Sequence, residues 1–201
     1  MHEPAPDPVA GVPEFTTARL RLRGWRDDDV EAWADLNADP RVMEFFPSTA
    51  RRTESVASAA RLRAALARDG FGWWAIEVRG GLPFAGVVAL QKVPSLAHLE
   101  GAMEIGWRLA AAAWGNGYAP EAATALLAFA FETLRRDEIV AFTARTNRRS
   151  RRVMEKIGMT YDPRDDFEHP RIAARHPLRP HVLYRIGAET WRRSRDGGAA
   201  N

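Results

Sequence analysis

Two glycines, Gly115 and Gly117, stand two residues apart in the stretch WGNGYAPEA, which covers Trp114–Ala122. Pro120 is compatible with the first helical position, where its missing N–H would be unsatisfied anyway. A glycine-rich turn that opens a helix gathers free backbone N–H groups at the positive end of the helix, which favours binding of a phosphate. The alternative is a tight turn whose glycines serve only packing, and these residues alone leave both interpretations open.

Other phosphate-binding loops do not fit the same letters. A dinucleotide fingerprint needs a small residue three positions after Gly117, and Pro120 stands there instead. A Walker-type loop needs Gly-Lys followed by Ser or Thr, which the chain does not contain. The segment from Ala122 to Leu134 consists of strong helix formers and is almost uniformly apolar, so we expect a buried, central helix.

A second candidate site lies in the segment Ala102–Leu109, AMEIGWRL, whose pattern predicts a strand. Glutamate can act as a base, but Glu104 is equally explained as a solvated charge on an exposed strand face. Gly106 favours a site, because glycine inside a strand often marks a bulge or a close backbone approach. Alternation places Met103, Ile105, Trp107 and Leu109 on one face and Glu104, Gly106 and Arg108 on the other.

The third candidate is the segment Thr143–Met159, TARTNRRSRRVMEKIGM. Its local explanation is structural: Asn147 can cap a helix by bonding the N–H near Ser150, and the arginines can form a solvated helix face. Helical spacing separates two sets of residues. Ser150, Val153, Met154 and Ile157 share one stripe, while Arg148, Arg149, Arg151 and Arg152 lie mostly elsewhere.

A fourth cluster, DDFEHP at Asp165–Pro170, is followed by His176 and His181. Two aspartates, a glutamate and three histidines suggest a metal, but their spacings match no familiar set of ligands, so we expect none. A loop of capping and turn residues is the commoner explanation.

The elements that must position these residues follow from periodicity and breakers. A strand at Thr17–Trp25 precedes a helix capped by Asp27 and stopped by Pro40, and a second helix runs from Thr53 to Gly70. A hairpin joins Gly72–Val78 to Phe84–Leu90 across Gly80-Gly81. After the strand and helix described above come a strand at Asp137–Ala144, a helix at Asn147–Gly158 and a strand at His181–Ile186. This is a mixed α/β layout.

Composition bounds the remaining possibilities. With 201 residues and 46% hydrophobic content, one domain with a substantial core is expected. Cysteine is absent, which removes disulfides and thiolate nucleophiles. The net charge is only +3, which is weak support for nucleic-acid binding. The start is proline-rich and unlike a signal peptide, and the longest apolar run is too short to span a membrane, so we expect a cytoplasmic protein.

The loop WGNGYA resembles the acetyl-CoA loop of the GNAT N-acetyltransferases, whose pattern is Arg/Gln-x-x-Gly-x-Gly/Ala. The matching positions are Trp114, Gly117 and Ala119. Trp at the first position departs from the family pattern but is common in the branch of ribosomal-protein N-terminal acetyltransferases (RimJ/RimL-like). The order of elements agrees from Thr17 to Ile186. The resemblance implies a mixed α/β, GNAT-like fold with a central, mostly antiparallel, splayed sheet flanked by helices. We expect disordered tails at 1–15 and 189–201 around a single domain at 16–188.

The resemblance also implies a mechanism. In the family, a glutamate at the position of Glu104 draws a proton from the amine, and Ser150 lies near the thiol, with Met154 in a slot that often holds a tyrosine acid. Methionine cannot give a proton, so Ser150 becomes the expected donor. Asn147 would bond the pantetheine arm, and the arginines from Arg148 to Arg152 would face the cofactor's phosphates, without the resemblance showing which of them makes the contact. The full set expected to bind acetyl-CoA is Trp107, Arg108, Leu109, Trp114, Gly115, Asn116, Gly117, Tyr118, Ala119, Asn147, Ser150, Arg152 and Met154.

The expected acceptor is an amine, on a small molecule or a peptide N-terminus, and neither a nucleic acid nor a membrane is an expected partner. Deprotonating an α-amino group at pH 7 costs about 1 kcal/mol, whereas a lysine costs about 4.6 kcal/mol, so one carboxylate suits the first. Acceptor contacts are expected from Phe46, Asp165, Asp166 and His169. Many members of the branch form homodimers. The alternatives are a non-catalytic acyl-CoA-binding or regulatory module and an arginine-rich nucleic-acid binder, whose binding would depend steeply on salt.

Overall fold

A nine-stranded sheet organises the part of the chain that this computed structural model describes, residues 11–93 and 96–198. The strand order is β1-β2-β3-β4-β5-β6-β9-β7, with β8 also paired to β9, and every pair except β5–β6 is antiparallel. The strands are β1 (Phe15–Thr16), β2 (Leu20–Arg23), β3 (Trp73–Val78), β4 (Gly86–Lys92), β5 (Met103–Leu109), β6 (Glu138–Ala144), β7 (Thr160–Tyr161), β8 (Phe167–Glu168) and β9 (Pro180–Gly187).

Five α-helices accompany the sheet in the described ranges: α1 (Asp29–Ala38), α2 (Arg52–Asp69), α3 (Tyr118–Ala128), α4 (Arg148–Lys156) and α5 (Ala188–Gly198). The α3 helix continues as a wider π-helical turn, Phe129–Thr133, whose first three residues are buried. None of the described helices combines the length and apolarity that crossing a bilayer requires. The predicted mixed α/β fold with a mostly antiparallel sheet is confirmed.

The sheet splays between β5 and β6. Within the described residues these strands pair only at Met103↔Ile139 and Glu104↔Val140, whereas β5 pairs with β4 along its whole length. One edge of the segment 105–109 therefore has no strand partner among the described residues, which agrees with the splayed sheet that the resemblance implied. An unpaired edge exposes backbone N–H and C=O groups, which can bind an extended ligand.

The two faces of β5 differ as alternation predicted. Met103, Ile105 and Leu109 are buried in the core, where Leu126 and Leu127 of α3 are also fully buried. On the opposite face, Arg108 reaches across to Asn37 of α1. One face of the strand is thus used for packing, and the other for polar side chains.

The predicted cap of α1 is wrong. The helix begins at Asp29 after Asp28, which makes no side-chain cap, and the carboxylate of Asp27 instead pairs with Arg63. Asp29 accepts a hydrogen bond from the backbone N–H of Arg26 at 2.7 Å and forms an ion pair with the buried Arg23. A buried guanidinium needs a negative charge beside it, so the ion pair with Arg23 fixes the position of Asp29.

The N-terminal boundary at residue 15 also needs correction. Residues 1–10 of the expected tail lie outside the described part of the chain, but residues 11–15 are ordered against the core. The carbonyl of Pro13 accepts a hydrogen bond from Trp74 Nε1 at 2.7 Å, and Phe15 in β1 packs edge-on against the Trp74 ring. Burial of these aromatic groups outweighs the turn-forming composition of the segment.

At the other end, the tail expected from residue 189 is instead helix α5 as far as Gly198. Trp191 is only 5% exposed, and its ring lies 5.9 Å from that of Phe131. One large aromatic side chain packs this segment against the core, although its position near the end of the sequence suggested disorder.

Candidate active site

The glycine loop ahead of α3 leaves backbone N–H groups free at the start of the helix. Gly115 and Gly117 both have left-handed φ angles, 78° and 77°, which glycine adopts without strain. The helix begins at Tyr118, and no described side chain caps it, so its first-turn N–H groups face outward at the positive end. Pro120 is the third helical residue rather than the first, and it still sacrifices no helical hydrogen bond. The loop therefore supports the expected phosphate contact.

Arg19 braces this loop from the end of the sheet, a role that sequence reasoning missed. Its Nη1 donates to the backbone carbonyl of Asn116 at 2.8 Å, and its Nε donates to Glu121 at 2.7 Å. The hydroxyl of Thr17 also donates to Glu121, at 2.6 Å. Burial opposes ionisation of Glu121, but these donors win and lower its pKa. The contacts span about a hundred residues of sequence, and no local pattern announces them.

Trp114 is fixed on both sides. Its Nε1 donates to the carbonyl of Leu109 at 2.9 Å, which ties the loop to the end of β5. The guanidinium of Arg149 lies 4.4 Å from the Trp114 ring centroid and forms an ion pair with Glu44. Arg149 thereby joins α4 to both the glycine loop and the segment between α1 and α2.

Glu104 is a partly buried carboxylate that accepts a hydrogen bond from Gln91. Burial raises its pKa to about 7, although a hydrogen bond from Gln91 and the charge of Arg171 act in the opposite direction. The Gln91 Nε2 donates to Glu104 Oε2 at 2.8 Å. A carboxylate that titrates near pH 7 has the affinity for protons that a general base needs.

Trp73 sets the orientation of Gln91. Its indole Nε1 donates to Gln91 Oε1 at 2.9 Å, and an indole N–H can only donate. The amide oxygen of Gln91 must therefore face Trp73, and its NH₂ group must face Glu104. Sequence analysis did not select Gln91, although it is a polar residue in an apolar strand and the cross-strand partner of Glu104.

His169 lies on the segment that approaches Glu104. Its Nδ1 accepts a hydrogen bond from the backbone N–H of Arg171 at 3.3 Å, and the charge of Arg171 acts on Glu104. Burial, followed by the charges of His181 and Arg171, lowers the pKa of His169. The His169 and His181 rings lie 4.8 Å apart. Of the predicted acceptor residues in this loop, only His169 is connected to Glu104 in this way, through Arg171.

Asp165 and Asp166 are both engaged by arginines. Asp165 pairs with Arg185 at 2.8 Å, and Asp166 pairs with Arg145 at 3.2 Å. Each carboxylate is neutralised within the protein, so neither offers a free charge to a cationic amine. Their predicted role as acceptor contacts gains no support from these pairs.

Asn147 is the N-cap of α4, as its local explanation predicted. Its Oδ1 accepts from the backbone N–H of Ser150 at 3.1 Å, and its Nδ2 donates to Thr143 Oγ1 at 2.9 Å and to Ser150 Oγ at 3.0 Å. Ser150 Oγ is an acceptor in that bond, and within the described residues it donates to no acceptor. Its proton is therefore available to a ligand.

The other predicted residues of α4 differ in how far their side chains are exposed to solvent. Met154 is 2% exposed and belongs to the core, which leaves it no proton to give and little surface for a ligand. Arg148 and Arg152 are exposed and four residues apart, and among the described residues neither side chain has an ion-pair or hydrogen-bond partner. Both guanidinium groups are therefore accessible to anions.

Arg108 points towards α1. Its Nη1 donates to Asn37 Oδ1 at 2.5 Å, and its guanidinium lies 4.1 Å from the ring centroid of Phe46 and 5.1 Å from that of Trp33. Burial lowers the pKa of Arg108 to about 10. A cofactor role for Arg108 thus depends on its backbone, while its side chain joins the predicted acceptor residue Phe46.

Comparison with known proteins agrees with this geometry. The sequence matches a family model described as an acetyltransferase (GNAT) domain over residues 19–160. A curated relative from Aspergillus fumigatus, FsC-acetyl coenzyme A-N(2)-transacetylase, is 31% identical over 160 residues, which is 76% of this chain and 67% of the relative.

Solved structures share the fold. A GNAT-family acetyltransferase from Bacillus anthracis has a TM-score of 0.74 at 24% identity, covering 88% of this chain and 99% of that one. RimJ from Mycobacterium smegmatis, solved in complex with CoA-disulfide, has a TM-score of 0.68 at 23% identity, covering 89% of each chain. At these identities the likeness concerns the fold.

Proposed function

The chain belongs to the GNAT acetyltransferase family, and from this premise we propose which residues acetylate which kind of acceptor. It is an acetyl-CoA-dependent acyltransferase. The proposed acceptor is a primary amine, on a small molecule or a peptide N-terminus, which attacks directly in a ternary complex. A nitrogen–carbon bond forms and the carbon–sulfur bond of the thioester breaks. Of the two protons that an ammonium nitrogen loses in the reaction, one passes to the general base and the other to the released thiol sulfur.

The observation that carries the proposal is the carboxylate of Glu104, whose pKa is about 7 and which lies where β5 parts from β6. At neutral pH about half of these carboxylates are ionised and can accept a proton from an ammonium group. An α-amino group with a pKa of about 7.7–8.0 is close enough for efficient transfer. Glu104 is therefore the proposed general base, and Gln91 positions it.

We assign protonation of the leaving thiolate to Ser150. Its hydroxyl accepts from Asn147 and retains a free proton, which it can donate to the departing sulfur. A thiolate with a pKa of about 8.5 is already a fair leaving group, so this assistance is modest.

The proposed cofactor site combines the start of α3, two arginines of α4 and the edge of β5. When bound, acetyl-CoA supplies an acetyl group activated as a thioester. The backbone of residues 115–119 would hold its diphosphate at the start of α3, and Arg148 or Arg152 would contact its phosphates. Trp107, Leu109 and Asn147 are the proposed contacts of its pantetheine arm along the splay. Positioning the two reactants in this way contributes roughly 7–11 kcal/mol to lowering the barrier.

Within the family, we place the chain in the RimJ/RimL-like branch. The loop WGNGYA supports this placement, because its tryptophan stands where most members carry Arg or Gln. The fungal relative, whose name specifies a transfer at N2, supports a nitrogen acceptor.

The test is turnover of a panel of primary amines by the parent and by Glu104→Gln, alongside acetyl-CoA binding measured by calorimetry. The proposal predicts unchanged binding and a loss of at least 10²-fold in kcat for the variant. Equal turnover by both proteins would remove Glu104 from the mechanism. Tight binding with no transfer to any amine would identify a non-catalytic acyl-CoA-binding module.

A further inference from the structure

A cavity of about 320 Å³ lies beside the polar face of β5, between that strand, β3, α1 and α2. Its walls include the aromatic rings of Trp33 and Trp73 and the polar side chains of Asn37 and Arg108. A concave pocket with aromatic walls and a few converging polar groups is the usual form of a small-molecule site.

Arg108 has donor groups that the protein leaves unused. A guanidinium carries five N–H donors, and the printed contacts of Arg108 use its Nη1, on Asn37. Its Nε is buried with no hydrogen-bond partner, and among the described residues no carboxylate forms an ion pair with Arg108. Burying a cation without an anionic partner is costly, so a ligand that supplies the anion would gain a strong, charge-assisted contact.

The other charged residues around the cavity do not satisfy Arg108. Glu54 lines the cavity, but both of its oxygens accept hydrogen bonds from Arg51. Arg61 adds a second positive charge to the wall. With Glu54 neutralised by Arg51, the cavity favours an anion.

The cavity shares one wall residue with the hydrogen bonds that position Glu104. Trp73 lines the cavity and also holds Gln91, which donates to Glu104. On the strand itself, Gly106 stands between Glu104 and Arg108 on the same face. A Cβ added at Gly106 would meet only Glu104 Oε1, at 4.0 Å, so the space above this glycine is open.

We propose that the acceptor carries a carboxylate as well as its amine, and that Arg108 binds this carboxylate in the cavity while the amine faces Glu104. This inference rests on the acetyl transfer proposed above and names its substrate class. Four residues of strand separate the Cα atoms of Glu104 and Arg108 by roughly 13 Å. An acceptor above Gly106 would lie between the two groups, with Phe46 covering the guanidinium.

The test compares amines that differ only in the anionic group. The probes are ω-amino carboxylates from β-alanine to 6-aminohexanoate, each with its carboxamide, and the C-terminally amidated dipeptides Gly-Glu and Gly-Gln. The parent is expected to show at least tenfold higher kcat/KM for the carboxylate at the best length. The free acids and the dipeptides distinguish a small amino acid from a peptide as the source of the carboxylate, and a preference in either arm supports the proposal.

Variants assign the preference to Arg108. Arg108→Gln should lower kcat/KM for the carboxylates to that for the carboxamides, and thermal unfolding of the variant shows separately that the protein remains folded. Arg108→Lys should restore part of the preference, because it restores the charge. Arg63→Gln, an exposed arginine of α2 outside this cavity, is the matched control and should keep the full preference.

Two results would overturn the inference. One is equal kcat/KM for carboxylates and carboxamides in the parent at every length and in both dipeptides. The other is a carboxylate preference that persists in Arg108→Gln. Either result leaves acetyl transfer itself standing, whereas a failure to acetylate any amine would overturn the proposed function instead.

Discussion

At the scale of single residues, Glu104 combines burial with one oriented donor, and the balance between them sets its pKa near 7. A base must be deprotonated to work, so kcat/KM should rise with pH through an ascending limb near pH 7. Gln91→Leu removes the donor that stabilises the carboxylate and should move this limb up by about one pH unit. Trp73→Phe removes the indole N–H that orients the Gln91 amide but leaves the amide in place, so it should move the limb in the same direction by less.

The measurement is the pH dependence of kcat/KM for an acceptor with an α-amino group, from pH 5.5 to 9. Glu104→Gln is the control, since it has no group to titrate and should retain only the ionisation of the amine. A limb that stays in place in Gln91→Leu would show that Glu104 is not the group observed.

The same pKa predicts how stability depends on pH. Below pH 4.5 Glu104 is protonated in both states, whereas between pH 4.5 and about 7 only the unfolded chain ionises it. The unfolded state then binds fewer protons, so this residue lowers the free energy of unfolding as pH rises through that window, by about 3 kcal/mol. Glu104→Gln lacks this effect. Urea unfolding at pH 4.5, 6 and 8 should show the variant gaining stability relative to the parent, and parallel curves would contradict the raised pKa.

At the scale of elements, the glycine loop depends on the strand end that braces it. Arg19→Ala removes the hydrogen bonds to Asn116 and Glu121, so the loop should lose its fixed shape. We expect KM for acetyl-CoA to rise about tenfold with little change in kcat, because the lost contacts position the cofactor rather than the reacting groups. The measurement is initial-rate kinetics with acetyl-CoA varied.

Arg21→Ala is the matched control for this experiment. Arg21 lies two residues further on, in β2, and pairs with Glu14 instead of the loop, so the variant loses a similar surface charge. An equal rise in KM for both variants would indicate a general effect of charge on the anionic cofactor, and bracing by Arg19 would be refuted.

Local patterns predicted the elements whose signals are contained in a few consecutive residues. The glycine after α2, the turn of the hairpin and the Asn147 cap all depend on backbone preferences or contacts within a few residues. The alternation of β5 also placed Glu104 correctly, on the face opposite the core. These features could be predicted because short-range geometry decides them.

The features that could not be predicted from the sequence depend on contacts between residues far apart in the chain. The Arg23–Asp29 pair displaced the expected cap of α1, and Trp191 ordered a segment expected to be a tail. The supports of the site, Gln91 and Arg19, act on partners 13 and about 100 residues away. No period or motif marks such pairs, since they exist only once the sheet has formed.

At the scale of the whole molecule, the sheet brings three separate parts of the chain to one opening. The splay between β5 and β6 provides an unpaired edge, and α3 presents its positive end. Helix α4 supplies Ser150 and two exposed arginines that have no partner among the described residues. Arg149 ties α4 to the glycine loop and to the segment after α1. The central claim is that this opening binds acetyl-CoA through the loop before α3.

Thermal unfolding with and without acetyl-CoA tests that claim most directly, in the parent, Gly117→Trp and Gly70→Trp. Both glycines have left-handed φ angles, 77° and 69°, so both variants carry similar backbone strain, but Gly70 ends α2 instead of opening α3. At 100 times its dissociation constant, acetyl-CoA should stabilise the parent and Gly70→Trp by about 2.7 kcal/mol and Gly117→Trp by much less. No stabilisation of a well-folded parent, or an equal shift in all three proteins, would contradict the account.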